Sequence, residues 1–236
     1  MKKTLFVALL LLCAVTSHMA YAQNLQLHYK TAKWLYPREW ANDAMLMSTV
    51  EMFKADPWGD TFFFVDMTYT KEGLNYAYWE IARSLKFWEA PFAVHLEYNG
   101  GLQGPFLFNH AYLAGGTYAI HSKDFSKTFS VSLMYKYIQG IEKVSNYQVT
   151  AIWGINFAGG KCSFSGFIDW WRQENPAFQS RFVLLSQPQF WLNLNAFDGI
   201  NDKFKLSVGT EVEFSNNLTK AGFYVVPTLA LKWTFD

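Results

Sequence analysis

An alternation of apolar and polar residues with a period of two recurs in short segments along most of this chain and commits it to β-structure. The pattern is clearest toward the C-terminus. Between Asn146 and Ala158, Tyr147, Val149, Ala151, Trp153, Ile155 and Phe157 share one face, opposite Gln148, Thr150, Ile152, Gly154 and Asn156. Between Lys203 and Ser215, Phe204, Leu206, Val208, Thr210, Val212 and Phe214 oppose Lys205, Ser207, Gly209, Glu211 and Glu213. The final segment sets Phe223, Val225, Pro227, Leu229, Leu231, Trp233 and Phe235 against Tyr224, Thr228, Ala230 and Lys232. Noisier segments run at about 24–32, 43–54, 60–70, 76–87, 92–99, 109–121, 127–139, 162–172 and 180–194. Twelve segments result, each close to the roughly 9–11 residues that a membrane-barrel strand needs. Turn-forming residues separate them, among them Asp56-Pro57-Trp58-Gly59, Gly159-Gly160, Asn175-Pro176 and Asn216-Asn217. Two stretches depart from the pattern. Asn75–Trp88 carries Tyr78, Ile81, Leu85 and Trp88 at helical spacing but is read as a strand. Trp34–Asp43 lacks alternation and is read as a loop with a helical turn.

The start of the chain predicts export. Lys2 and Lys3 precede an uncharged apolar run from Leu5 to Val15, and Ala20-Tyr21-Ala22 supplies a small-x-small cleavage pattern. Residues 1–22 are therefore expected to be a signal peptide and 23–236 the mature barrel. The apolar run is shorter than the about 20 residues of a spanning helix. Without Lys2 and Lys3, the 20 basic residues become 18 against 19 acidic ones. Such a balance argues against a nucleic-acid partner, which usually demands a basic patch. Cys13 would leave with the signal, so Cys162 stands alone and neither a disulfide nor a cysteine metal cluster is expected.

Alternation alone does not separate a soluble sandwich, apolar face inward, from a membrane barrel, apolar face outward. The ends of the apolar faces favour the barrel. Tyr147 with Phe157, Phe204 with Phe214, and Phe223 with Trp233 and Phe235 place aromatic rings where a bilayer has its two interfaces. Aromatic residues make up 19% of the chain, enough to furnish such girdles. The predicted fold is all-β: a transmembrane antiparallel up-and-down barrel of about twelve strands. It is expected in a Gram-negative outer membrane, as a monomer in contact with membrane lipid and lipopolysaccharide.

In such a barrel the polar faces line the interior. Glu51, Phe62, Phe64, Asp66, Glu80, Glu97, Asp169, Trp171 and Arg181 are the main candidates, with Lys136, Lys205, Glu211, Glu213 and Lys232 beside them. A slight acidic excess suits neutral or cationic solutes rather than anions, although the same charges could simply brace the wall by pairing. Inward aromatics beside acceptors, such as Phe62 and Phe64 near Asp66, or Phe167 and Trp171 around Asp169, offer stacking and edge hydrogen bonds together. They could equally be filling a narrow lumen. No Gly-x-Ser-x-Gly elbow and no histidine pair at metal-ligand spacing occurs, so no catalytic residue, metal or cofactor is assigned. His95 and Glu97 share a face as a conceivable acid–base pair. A lipid-acting barrel enzyme and a sealed structural barrel remain as alternatives to a channel.

The run Thr49–Asp66, with a strand glutamate, an acidic turn containing tryptophan and an aromatic strand carrying Asp, resembles the Tsx-like family of nucleoside-specific outer-membrane channels. Trp79-Glu80-Ile81 followed by Arg83 is similar to that family's next strand. The resemblance implies a monomeric barrel with a narrow pore that binds nucleosides along Glu51, Phe62, Phe64, Asp66, Glu80 and Arg83. Arg83 has the opposite parity to Glu80, so it lies either outside the pore or beyond a bulge.

Overall fold

A computed structural model describes residues 21–236 except Pro105, Asp202 and Asp236. The expected signal peptide lies outside the described residues, apart from Tyr21 and Ala22, which open the first strand. The strands of the barrel wall are β1 (Tyr21–Lys30), β2 (Leu46–Asp56), β3 (Gly59–Thr70), β4 (Gly73–Leu85), β5 (Phe92–Gln103) and β6 (Ala111–His121), leaving aside the two-residue Phe106–Leu107, which pairs with the end of β5. They continue as β7 (Lys127–Ile138), β8 (Ser145–Phe157), β9 (Cys162–Asn175), β10 (Ser180–Ser186 and Gln189–Asn193), β11 (Leu206–Asn216) and β12 (Phe223–Phe235). Each pairs antiparallel with its neighbours in sequence, and β12 pairs with β1, from Gln23 opposite Phe235 to Lys30 opposite Thr228. The result is a closed twelve-stranded antiparallel barrel.

The two pieces of β10 are one strand. Ser186 opposite Ile168 and Gln189 opposite Ser165 keep the same register on either side of the gap. The gap falls at Gln187-Pro188, where proline has no N–H to give to the ladder. Gly166 of β9 lies under it, at a φ of +156°, and a Cβ there would come within 2.7 Å of the Gln187 carbonyl oxygen. The stretch 75–88 is strand rather than helix over most of its length. Its helical spacing is incidental, because Tyr78 faces the lumen whereas Ile81 and Leu85 face outward, as their cross-strand partners require. The loop after β1 opens with one helical turn, α1 (Ala32–Leu35).

Burial runs opposite to that of a soluble protein. Leu229 is 69% exposed and Leu133 63%, while Gln26 is 1% exposed and Gln148 3%. A sandwich would bury those leucines and solvate the glutamines, so the soluble alternative fails on this reversal. Aromatic contacts link neighbouring or next-but-one strands at both ends of the outer face. Toward the chain termini, the Phe92 and Tyr118 rings lie 5.0 Å apart and those of Phe157 and Phe190 6.3 Å apart. At the other end, Trp170 stacks on Phe182 at 4.9 Å and meets Tyr147 at 5.7 Å. These are the two girdles expected of a lipid-facing band.

The β6–β7 turn is stabilised locally. The Asp124 carboxylate accepts hydrogen bonds from the Ser122 and Ser126 hydroxyls and from the Ser126 N–H. These bonds hold its pKa down from 3.8 to about 2. A depressed carboxylate supports the fold fully above its unfolded pKa and loses that support as pH falls through the folded value. The Asp124 side-chain NMR shift should therefore stay constant from pH 7 to 4 and move only near pH 2. A midpoint near 4 would mean that the turn does not hold the carboxylate.

Candidate functional site

Strand parity decides which side chains reach the interior. Asn24, Gln26 and His28 of β1 face inward, and the ladders carry that face to Glu51 and Thr49 of β2, then to Phe64 and Asp66 of β3, and on to Glu80 and Tyr78 of β4. The same tracking places Glu97, Asp169, Trp171, Glu211 and Lys232 inside. Phe62 lies inward beside Phe64.

Arg83 does not. It sits across from Thr61 and Leu96 on the outward face, near the end of β4, in a two-pronged ion pair with Asp56 at 2.6 and 2.8 Å. Without a bulge between Glu80 and Arg83, the parity of the sequence holds and Arg83 lies outside the lumen. Both side chains of the pair are about a quarter exposed, 25% and 28%. Replacing Arg83 with Ala should cost about 0.2–1 kcal/mol, the range of exposed ion pairs, as read by urea unfolding of the barrel in lipid vesicles. A loss of several kcal/mol would mean that the pair is buried in the working fold. Arg181 shares the inward parity of Val183, but it is exposed at the rim end of β10 and stands apart from the other candidates.

Two polar networks cross the interior. In the first, Lys136 Nζ donates to Gln148 Oε1 at 2.6 Å, Gln148 Nε2 to Thr150 Oγ1 at 3.0 Å, and Thr150 Oγ1 to Asp169 Oδ1. The Lys136 ammonium lies 4.3 Å from the centre of the Trp171 ring, within cation–π range. Tyr78 donates to Glu80 at 3.0 Å, and His95 Nε2 lies 3.0 Å from Glu97 Oε2, so these two residues of one face are in contact. Glu80, Glu97 and Asp169 face the same interior although they stand on β4, β5 and β9.

The second network joins the seam strands. His28 is bonded to Gln26 at 3.0 Å and to Thr228 at 3.1 Å, Gln26 donates to Asn24, and Asn24 donates to Glu51 at 2.9 Å. On the adjoining strand β12, Lys232, opposite Gln26 in the ladder, lies 4.4 Å from the Trp191 ring centre. The Trp191 indole N–H donates to Gln189, whose amide donates to Glu211 at 2.7 Å. Trp191 is fully buried and meets His28 edge-on at 6.2 Å. The two networks leave mid-barrel side chains such as Met134, Trp191 and His28 with almost no accessible surface, so the lumen is narrow.

Between the networks an aromatic wall runs up β3 and β4. Phe62 and Phe64 have ring centres 5.9 Å apart, and Phe64 and Tyr78 are again 5.9 Å apart. All three are half-buried, with part of each side chain open. Asp66 and Glu80 sit beside them, Asp66 accepting from Thr49. The structure thus gathers Glu51, Phe62, Phe64, Asp66, Glu80, Glu97, Asp169 and Trp171 around one interior. Trp191 and the Asn24–Gln26–His28 row belong there as well. The row was visible as strict alternation in Asn24-Leu25-Gln26-Leu27-His28. Trp191, an inward tryptophan, gave no such signal.

At the β6–β7 turn, where a serine, a histidine and an aspartate lie close in sequence, Ser122 Oγ donates to Asp124, while His121 Nδ1 lies against the Ser122 carbonyl oxygen at 2.8 Å and stacks on Phe125. The imidazole does not take the serine proton there, as a nucleophilic pair requires. Among the described residues no group of three or more His, Cys, Asp or Glu side chains is arranged to hold a metal.

The barrel is similar to solved porins. The NanC porin matches with a TM-score of 0.58 at 8% identity, covering 91% of this chain and 99% of that one. The KdgM porin matches with a TM-score of 0.53, also at 8% identity and with the same coverage. At such identity the likeness speaks to the fold. No curated protein matches the chain in sequence. A family model described as a domain of unknown function, DUF5020, matches residues 22–235, and the chain belongs to that family.

Proposed function

We propose that this barrel is an outer-membrane channel of a Gram-negative bacterium that passes small neutral or cationic solutes, with nucleosides the class that best suits its inner wall. The reading rests above all on the half-open stack of Phe62, Phe64 and Tyr78 beside Asp66 and Glu80. Flat rings provide faces for a base, and the neighbouring carboxylates accept from the N–H and O–H groups at a nucleoside's edges. Glu51, Phe62, Phe64, Asp66 and Glu80, the residues behind the resemblance to Tsx-like channels, share this face. Inward Glu51, Asp66, Glu80, Glu97, Asp169, Glu211 and Glu213 outnumber Lys30, Lys136, Arg181, Lys205 and Lys232, the basic residues of inward parity, which disfavours anions. The exposed apolar belt suits lipid and lipopolysaccharide as its surroundings, and because β12 closes on β1 within one chain, a monomer needs no partner to complete its sheet.

A second reading, a sealed structural barrel, draws support from the near-complete burial of Gln26, His28, Met134 and Trp191 at mid-height. Conductance of the refolded protein in a planar bilayer separates the two. Small steady steps that adenosine or uridine reduces, and glucose does not, support the nucleoside channel. Steps indifferent to nucleosides leave a general pore. Silence from a verified folded barrel favours the sealed form.

A further inference from the structure

The inner wall of β4 and β5 carries acceptors with nothing to accept from. Glu97 Oε1 and Asn99 Oδ1 are buried without a hydrogen-bond partner, on residues whose side chains face the lumen two positions apart. Asn99 is 5% exposed and the Glu97 side chain 9%. Glu80, directly opposite Asn99 in the ladder, adds a carboxylate. A buried acceptor left unmade is costly, and two on one face call for a shared donor.

The donor's chemistry follows from the neighbours. Three carboxyl side chains, those of Glu80, Glu97 and Asp169, face the lumen around the place and bring further acceptor oxygens. The nearby cation, Lys136, directs its N–H to Gln148 and lies on Trp171, with no carboxylate within 4.0 Å among the described residues. An anion brings no donor to these acceptors, and no metal-holding group of three or more His, Cys, Asp or Glu occurs among the described residues. We infer that Glu97, Asn99 and Glu80 form a lumenal station for the ammonium head of a small primary alkylamine, whose three N–H donors meet the three acceptors. An –NH3+ group carries three donors and no acceptor, and bonds in which one partner is charged are the stronger kind. The inference deepens the channel reading and rests on it, since the amine must reach mid-lumen.

The probe pair is n-butylammonium and tetramethylammonium, of equal charge but with N–H donors only on the first. Calorimetric titration of the folded barrel in detergent reads binding, and reduction of bilayer current reads occupancy of the pore. The station predicts that butylammonium binds at least tenfold more tightly than tetramethylammonium. Asn99→Leu should weaken butylammonium about tenfold, the loss of one hydrogen bond to a charged group. Asn99→Asp, which adds charge and keeps the acceptor, should tighten it. The opposite signs of these two variants keep the test sound should either one alter folding. Equal binding of the two cations, or an unmoved affinity in Asn99→Leu, overturns the station. So does the absence of binding by either cation, which would leave only a structural water between the two acceptors. Binding by a barrel that does not conduct would keep the station and remove the channel. A conducting barrel that binds neither cation would keep the channel and remove the station.

Discussion

Replacing Trp191 with alanine is expected to destabilise the barrel by about 3 kcal/mol and to raise its single-channel conductance several-fold. Loss of a buried Trp or Phe side chain costs about 3–5 kcal/mol. The lower end applies here because the space is lined by Gln189, His28 and Lys232 and admits water, unlike a dry apolar void. The indole lies over Gly209, its cross-strand partner, where an added Cβ would come within 2.6 Å of the ring and 2.1 Å of the Phe190 carbonyl oxygen. The glycine is what allows the ring to lie flat against the wall and fill the lumen. Trp191→Ala also removes the face on which Lys232 rests and the partner of Gln189, so the second network loosens along with the packing. Urea unfolding in lipid vesicles reads the stability, and a planar bilayer reads the opening. Loss of stability without a rise in conductance would place the limiting constriction at the Lys136–Trp171 network instead.

Phe64→Ala is expected to raise the adenosine concentration that half-blocks the current by about tenfold. Stacking of a base on an aromatic side chain contributes about 1–3 kcal/mol, and about 1.4 kcal/mol corresponds to a factor of ten. Phe62 and Tyr78 remain on either side, so some stacking surface survives and the loss falls in the lower half of that range. Asp66→Asn, which keeps the ring stack and an acceptor oxygen, should weaken the block less. Noise analysis of the blocked current measures both. An adenosine block of unchanged strength in Phe64→Ala would remove nucleosides from the reading and leave the channel intact.

Most of the wall was legible because each strand satisfies two solvents at once, and alternation records that directly. Leu206–Asn216 was read within three residues at either end, and the parity of Arg83 already raised its exclusion from the lumen. What escaped the sequence depends on partners far along the chain. Glu80 of β4 and Asp169 of β9 face the same interior from well-separated strands, and no local period reports that they share it. Trp191 gave no hint of its role because an inward tryptophan depends on a glycine in the next strand. The gap at Gln187-Pro188 depends in the same way on Gly166 beneath it. His28 was legible as polar, but its bonds to Gln26 and Thr228 exist only once β1 and β12 have joined.

That joining has its own consequence. Eleven of the twelve ladders link consecutive strands and can form as local hairpins, whereas the twelfth brings Gln23 to Phe235. The chain-closure entropy of the whole molecule is concentrated in this one zipper, and long-range pairing is the slow part of folding. Deleting the last strand would do more than shorten the sheet. It would expose the free hydrogen-bonding edges of β1 and β11 together, a template for joining copies end to end. Completion of the final thirteen-residue strand, Phe223–Phe235, is thus the event that turns an adhesive ribbon into a self-contained particle.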